Sequence, residues 1–554
     1  MELNDFLISI DGLLGSAPWF PFILLGVGLF FSVYLKFPQI RLFKHAWNVL
    51  FDPEVESKAK GETSHFQAMS MALSGTIGTG NIGGVGLAVY LGGPAAIFWM
   101  LVTAFVGMTT KLVEVSLSHK YRVTVEDGTI SGGPMYVMDN GLNWKPLAIL
   151  FAVTIAITSM GSGSMPQVNN MAQVLRETFG INEMLTGAIA TILLGLVIIG
   201  GVKRIANFAS KIVPAMAMLY IVGAAAVIIT NYNNIIPSFI SIFSDAFVGS
   251  SALGGFLGAT FAFAFNRGVN RGLFSNEAGQ GAAAIAHASA ITEEPVSEGI
   301  VALLEPFIDT IMICTLTGLV ILSSGVWIEK YHNTFQKSDF AIITGNYSDK
   351  DIEDKNELYK YINFLDDNKI REYSDEIDIL NGKMTTLNVT IINSRSVAED
   401  VVFYKDQGIN GLQHYTGKLS VTRGDIDDAD IIVTGKSLVH SAALTSIAFT
   451  KSFLGQGGKY IVAIALTLFA FSTAVAWSYY GNRCVVYLLG IKAILPFRLV
   501  YLTGFFLASF ADTTIIWTIA AITVVFSTLP NLLCMLMMRK EVKMMVNDYI
   551  NKIK

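Results

Sequence analysis

Apolar runs long enough to cross a hydrocarbon core of about 30 Å, roughly 20 residues as helix, recur along the chain. They lie near residues 17–36, 66–92, 94–118, 146–175, 183–202, 206–230, 250–289, 300–326, 458–480, 493–511 and 513–537. The pattern predicts an all-α polytopic membrane protein with eleven transmembrane helices, interrupted by one polar stretch at 329–436. Two of the runs resist a plain helix. In the second, Ser74 to Gly86 holds six glycines, two threonines and Asn81. The seventh would span roughly 60 Å as one helix, and it contains Asn266 to Gly281, where Ser275-Asn276-Glu277 reads as a cap restarting a helix after a break. Unpaired backbone groups in hydrocarbon cost several kcal/mol, so a break persists only where it is buried in protein or lines a polar cavity. Spans two and seven stand five apart. Spans two to six and seven to eleven therefore read as two five-helix halves of opposite topology, with span one outside them, an arrangement that points to a transport site at the membrane midplane.

Charge gives the orientation. Lys36, Arg41, Lys44, Lys58 and Lys60, then Lys120, Arg122 and Lys145, then Lys203 and Arg204, then Arg483, Lys492 and Arg498, and the tail from Arg539 to Lys554 all fall on one side of the spans. By the positive-inside rule that side is cytoplasmic. The opposite connections, around Gly92–Pro94, Arg176–Asn182, Asn231–Gly249 and Asp512, have almost no such residues. The N-terminus and the 329–436 insert are then extracytoplasmic and the C-terminus cytoplasmic, in a multi-pass protein of the cell's inner (plasma) membrane. The acidic start, Met1-Glu-Leu-Asn-Asp5, lacks a basic n-region, so no cleaved signal peptide is expected.

Composition agrees: 52% hydrophobic and 15% charged side chains exclude an ordinary soluble globule. The net charge of −5 is uneven, because 329–436 carries 13 Lys/Arg against 20 Asp/Glu. Three units follow: a membrane domain over residues 1–328 with helices one to eight, an acidic α+β insert over 329–436, and a second membrane segment over 437–554 with helices nine to eleven. Cys314, Cys484 and Cys534 have neither paired spacing nor a nearby histidine, and read as packing residues. No zinc or other metal cluster, no organic cofactor and no nucleic-acid partner is expected from these residues.

The chain resembles the alanine/glycine:cation symporter family, the sodium:alanine symporters, over nearly all of its membrane body. The resemblance rests on Thr76-Ile-Gly-Thr-Gly-Asn81, Gly92-Gly-Pro-Ala-Ala-Ile-Phe-Trp-Met100, Ser131-Gly-Gly-Pro-Met-Tyr136 and Gln167-Val-Asn169. It continues through Arg271-Gly-Leu-Phe-Ser-Asn-Glu-Ala-Gly279, Ile285-Ala-His-Ala288, Asp309-Thr-Ile-Met-Ile-Cys-Thr315, and Phe471-Ser-Thr473 with Trp477-Ser-Tyr-Tyr-Gly481. The family is similar in fold to the LeuT-like transporters, whose core is a 5+5 inverted repeat. The resemblance implies sodium-driven uptake of a small neutral amino acid, alanine or glycine, by alternating access.

A zwitterion needs donors for its carboxylate and acceptors for its ammonium, and a broken helix supplies both from backbone. Thr76, Gly78 and Gly80 expose backbone in the first break, and Asn81 and Gln167 offer side-chain oxygens to the ammonium without fixed charge. A pocket free of acidic and basic side chains suits such a solute. For Asn81 the competing structural role is an interhelical hydrogen bond. By similarity to the LeuT-like arrangement, the carbonyls of Ser74, Ile77 and Phe469 and the hydroxyls of Ser472 and Thr473 would bind sodium, with Thr473 shared by substrate. Without the resemblance, those hydroxyls would simply bond back to the preceding turn. Trp477, one turn beyond Thr473, would cap the pocket, its alternative being packing or an interface anchor. Of the six glycines, Gly75, Gly78 and Gly80 would expose backbone, while Gly83, Gly84 and Gly86 would allow close packing.

Ionisable residues within spans mark pathways or pairs. Lys111 and Glu114 read as a mutual pair near the cytoplasmic end. Arg267, Arg271 and Glu277 would pair around the second break and brace a gate rather than touch substrate. Glu305 and Asp309 share a helix face as a cation site or a structural pair beside Pro306. His287 reads as helix packing, and is the residue to suspect if protons replace sodium. In the insert, a helix is expected around Asp351–Leu365 and strands at Thr386–Ile392, Val401–Tyr404, Gly417–Thr422 and Asp430–Val433, with a solvated acidic surface and an unassigned protein partner. A sensor using the same pocket and signalling through the insert is the second reading. A channel fits an occluded midplane site less well, and no nucleophile or metal arrangement suggests an enzyme.

Overall fold

The computed structural model describes residues 10, 12–14, 17, 19–51, 60–365, 367–406, 411–511 and 513–553. The acidic start Met1–Asp5, Lys58, the connection at Asp512 and the last residue, Lys554, lie outside the described residues. The chain is mostly helical, and among the described residues seven helices are long and apolar enough to cross a membrane. These are Pro94–Lys120, Lys145–Phe179, Gly201–Thr230, Pro295–Ser324, Gly457–Leu489, Ile491–Ala508 and Ile515–Met537. The other four expected spans are two 16-residue apolar helices, α1 (Trp19–Tyr34) and Glu183–Ile198, and the two interrupted runs.

The second run is cut where its composition says it must be. Helix α2 (His65–Thr76) opens on a capping box, with the Ser64 hydroxyl accepting from the Gln67 amide and the Gln67 side chain accepting from the Ser64 amide. It ends at Ile77, whose φ of −76° and ψ of 89° are not helical. A wide π-helical turn over Gly80–Gly84 then leads into α3 (Val85–Gly92). Gly93, at φ 65°, turns the chain so that Pro94 can open α4 (Pro94–Lys120), where a missing amide hydrogen costs nothing.

The fourth run, expected as one span, is also divided. Between α5 (Lys145–Gly161) and α6 (Met165–Phe179) lies a Ser-Gly-Ser turn, and Pro166 sits in the first turn of α6. Two long neighbours follow, α7 (Glu183–Ile198) and α8 (Gly201–Thr230).

The seventh run differs most from expectation. Residues Gly249–Ser250 and Ala259–Thr260 pair as a short hairpin, so helix α9 (Phe261–Asn276) begins only after Thr260, whose hydroxyl accepts from the Phe263 amide. Ser275-Asn276-Glu277 ends this helix rather than starting one. Glu277 adopts φ 54°, and Gly279 and Gly281 have φ of 94° and 79°, so the chain is left-handed at three of five positions before α10 (Ala282–His287). Span eight, Pro295–Ser324, carries a π-helical stretch over Phe307–Cys314, which includes Asp309.

Between Tyr331 and Ser437 the chain is β-rich. Strands β1 (Tyr331–Thr334), β2 (Phe340–Thr344), β3 (Glu376–Leu380), β4 (Val389–Asn393), β5 (Glu399–Asp406), β6 (Gly417–Thr422) and β7 (Ile431–Ser437) pair antiparallel as β5 with β7, β7 with β1, β2 with β4 and β3 with β6. Ile342, Ile377, Ile379, Ile391, Phe403, Leu419 and Val433 form a core separate from that of the helices. The expected helix is present as α11 (Ile352–Ile362), and β1, β2 and β3 are additional to the expected strands. Arg395, beside β4, ties this unit to the hairpin before α9: it donates to the Gly258 carbonyl at 3.0 Å and lies 3.9 Å over the Phe263 ring.

After β7, a ten-residue helix α12 (Ser441–Thr450) precedes α13 (Gly457–Leu489). Helix α12 docks on the first break, with the Thr445 hydroxyl donating to the Ile82 carbonyl. Gly86 lets the two backbones meet, since a Cβ there would lie 2.3 Å from the Ser441 carbonyl oxygen. Gly84 has nothing within 4 Å of such an atom, so close packing does not explain it.

Candidate functional site

The two breaks face one small cavity of about 10 Å³. Gly75, Thr76, Gly78 and Gly80 come from the first break and Phe274, Glu277 and Gln280 from the second. The Ser-Gly-Ser turn and the start of α6 contribute Ser162 and Gln167, and α13 closes the cavity with Trp477. Room at the centre suits about one water. The walls are therefore contracted, and a larger solute requires them to part.

Glycine is needed at the contact between break and wall. A Cβ on Gly78 would lie 2.6 Å from the Thr473 hydroxyl and 3.0 Å from Gln167 Oε1. The amides exposed by unwinding are held by side chains: the Gly78 N–H donates to Asn81 Oδ1 at 2.9 Å and the Thr79 N–H to Gln167 Oε1 at 3.1 Å. An unbonded buried amide would cost about 1–3 kcal/mol, which is why polar side chains stand at these two places.

Asn81 is accordingly placed otherwise than its sequence suggested. It is fully buried and does not line the cavity. Its Nδ2 donates to the Asp309 carboxylate at 2.5 Å and to the Ser275 hydroxyl at 3.2 Å, while its Oδ1 accepts from Gly78. Asp309 in turn accepts from the hydroxyls of Ser275 and Thr310, both at 2.6 Å. This cluster clamps the first break to spans seven and eight, and it engages Asn81 Oδ1 with the Gly78 amide.

Behind the break lies an oxygen cluster containing all five residues expected to hold a cation. The Thr473 hydroxyl donates to the Ser74 carbonyl at 3.0 Å and the Ile77 carbonyl at 3.3 Å. The Ser74 hydroxyl donates to the Ser472 carbonyl at 2.7 Å, and the Ser472 hydroxyl to the Phe469 carbonyl at 2.9 Å. All five are buried. The donors are neutral oxygens, a set that suits a monovalent cation, and the Thr473 hydroxyl also stands beside Gly78 of the cavity wall.

The charged residues depart from expectation in three ways. Glu277 lines the cavity instead of pairing in a gate, because the left-handed turn at the end of α9 carries its side chain inward, where Oε1 accepts from Trp477 Nε1 at 2.9 Å. The pocket thus contains an acidic side chain. Arg267 and Arg271 lie over the rings of Phe263 and Trp517, at 4.9 Å and 5.2 Å. Lys111 sits 3.1 Å from Glu305 and 3.7 Å from Glu114, a triad rather than a pair. His287 is no mere packing residue: its Nδ1 contacts Glu298 at 2.5 Å and its Nε2 contacts Glu305 at 2.7 Å. Glu298 also bonds His65 at the start of α2, and Glu114 accepts from the amides of Gly279 and Gly281 in the second break, both at 3.2 Å. Glu298 and His65 were missed in the sequence, although a glutamate in the apolar run Pro295–Ala302 was a signal.

Comparison with known proteins places this architecture. The model of the sodium:alanine symporter family matches residues 1–346 and 428–554. The chain belongs to the sodium:alanine symporter family. Family membership makes it a multi-pass membrane transporter of the cation-coupled amino-acid class. It is 33% identical over 555 residues to an uncharacterized transporter of Haemophilus influenzae, covering 100% of this chain and 98% of that one. To the sodium/alanine symporter AgcS of Methanococcus maripaludis it is 32% identical over 538 residues, 96% of this chain and 94% of that one. The amino-acid carrier protein AlsT of Bacillus subtilis is 36% identical over 302 residues, 54% of this chain and 63% of its own. The stretch 347–427, which holds most of the β-rich unit, falls outside the family model, whereas the full-length matches run across it.

Proposed function

We propose that the protein couples sodium entry to uptake of a small neutral amino acid, alanine or glycine, by alternating access. The observation that carries this reading is the meeting of both helix breaks at one cavity, with the Thr473 hydroxyl, beside Gly78 of its wall, set in a cluster of neutral oxygens. The Thr473 hydroxyl and the Ser74 and Ile77 carbonyls, together with Phe469 and Ser472, would turn to a sodium ion once the cluster opens. Thr473 would then report sodium occupancy to the substrate.

In the same reading the substrate carboxylate takes the place of Gln167 Oε1 on the Thr79 amide and adds contacts from Gly78 and Gly80, while Trp477, Phe274 and Thr76 limit the side chain to a methyl group or hydrogen. The chain is read as eleven spans, one outside a LeuT-like 5+5 inverted repeat, with N-terminus and residues 329–436 outside the cell and C-terminus inside. The positive connections support that orientation. Residues 1–328 and 437–554 form the membrane body. Equilibrium binding of labelled alanine tests the reading, with glycine, both alanine enantiomers, serine and leucine as competitors in sodium, lithium and choline buffers. Sodium-dependent displacement by the small competitors and not by leucine is expected. Equal displacement by leucine, or binding indifferent to sodium, overturns it.

A further inference from the structure

Two polar atoms on the cavity wall have no hydrogen-bond partner among the described residues: Glu277 Oε2 and Gln280 Oε1. Both residues line the cavity, Glu277 is 5% exposed and Gln280 1%. Both belong to the left-handed turn between α9 and α10, opposite the Gly78–Gly80 wall that carries the amides. Leaving a buried acceptor unpaired costs about 1–3 kcal/mol, and more for a charged one, so two on one wall mark a place built for a donor. The other carboxylate oxygen is fixed by Trp477 Nε1, which aims the free one. The buried cation of α4 is already engaged: Lys111 is held by Glu305 and Glu114.

We propose that Glu277 and Gln280 form the ammonium subsite of the transported amino acid, a function the sequence pattern assigns to Asn81 and Gln167. The proposal rests on the transport reading above and deepens it. Each break then serves one end of the zwitterion, amides of the first for the carboxylate and acceptors of the second for the ammonium.

The test compares alanine binding and sodium dependence in the wild type, Glu277→Gln and Gln280→Leu, in detergent and in proteoliposomes. Glu277→Gln keeps the volume and the acceptor for Trp477 and replaces the free carboxylate oxygen by an amide donor. It is expected to raise the alanine Kd about tenfold to hundredfold, the loss of one charge-assisted hydrogen bond, and to weaken sodium binding with it. Wild-type affinity in Glu277→Gln overturns the proposal and leaves Glu277 as a prop for Trp477. If that variant does not fold, the wild type still decides: lactate, which replaces the ammonium by a hydroxyl, is expected not to displace alanine at hundredfold excess. Displacement within tenfold of alanine itself overturns the subsite. A wild type that binds no small amino acid in sodium overturns the transport reading and the subsite together, a result distinct from loss confined to the variants.

Discussion

Replacing Asn81 by Ala removes a clamp, and the size of the effect can be worked out from its bonds. The substitution leaves the buried Gly78 N–H without its acceptor, worth about 1–3 kcal/mol. It also takes a donor at 2.5 Å from the Asp309 carboxylate, where bonds to charged groups contribute about 1.5–3 kcal/mol. Together the break should lose about 2.5–6 kcal/mol of local order, or about two to four orders of magnitude in the population holding its geometry at about 1.4 kcal/mol per tenfold. Uptake should vanish, and the thermal midpoint of the detergent-purified protein should fall. A second variant separates clamp from ligand. If Asn81 acts through Asp309, a double-mutant cycle with Asp309→Ala has a coupling of about 1.5–3 kcal/mol in stability, because the second deletion removes a carboxylate whose bond to Asn81 the first has already broken. Additivity within about 0.5 kcal/mol, with both single variants stable, would refute the reasoning and return Asn81 to the groups that touch substrate.

Three further outcomes follow from the geometry. Thr473→Val should raise the sodium concentration for half-maximal uptake about tenfold or more, the loss of about 1.4 kcal/mol from one ligand, while Thr473→Ser stays near wild type; unchanged sodium dependence in the valine variant counts against the oxygen cluster. Gly86→Ala places a Cβ 2.3 Å from the Ser441 carbonyl oxygen and should cost about 1–3 kcal/mol in a melting assay, whereas Gly84→Ala, with open space around it, should stay within about 0.5 kcal/mol. Gly163→Ala would bring a Cβ to 2.4 Å from Trp477 Cγ, displace the ring from Glu277 and lower alanine affinity at least about tenfold; wild-type affinity there would mean that Trp477 does not shape the pocket.

Composition alone located the breaks, because glycines and hydroxyl residues within an apolar run have few other uses at membrane depth. It misjudged what the second break does at its ends. Ser275-Asn-Glu277 looks like a helix start, but the conformation is decided by Glu277 and the glycines at 279 and 281, all at positive φ. That turn brings a carboxylate into a pocket expected to hold none. The Thr473 cluster came from family resemblance: hydroxyls adjacent in sequence say nothing of carbonyls some 400 positions away. The same distance hid the link of Glu298 to His65, since no local pattern joins residues 233 apart. Helix Ser441–Thr450 was overlooked for a different reason. Its ten residues are too few to span, and it is fixed by docking on the first break rather than by length. In the β-rich unit, Glu376–Leu380 did carry the alternation, with Ile377 and Ile379 buried, and was legible but unread.

The most direct test of the central claim is accumulation of labelled alanine in proteoliposomes of the purified protein under an imposed inward sodium gradient. The account predicts uptake above the equilibrium level that collapses when the gradient is dissipated and is absent in Asn81→Ala. Binding without accumulation, or accumulation driven equally by a proton gradient in sodium-free buffer, would contradict it.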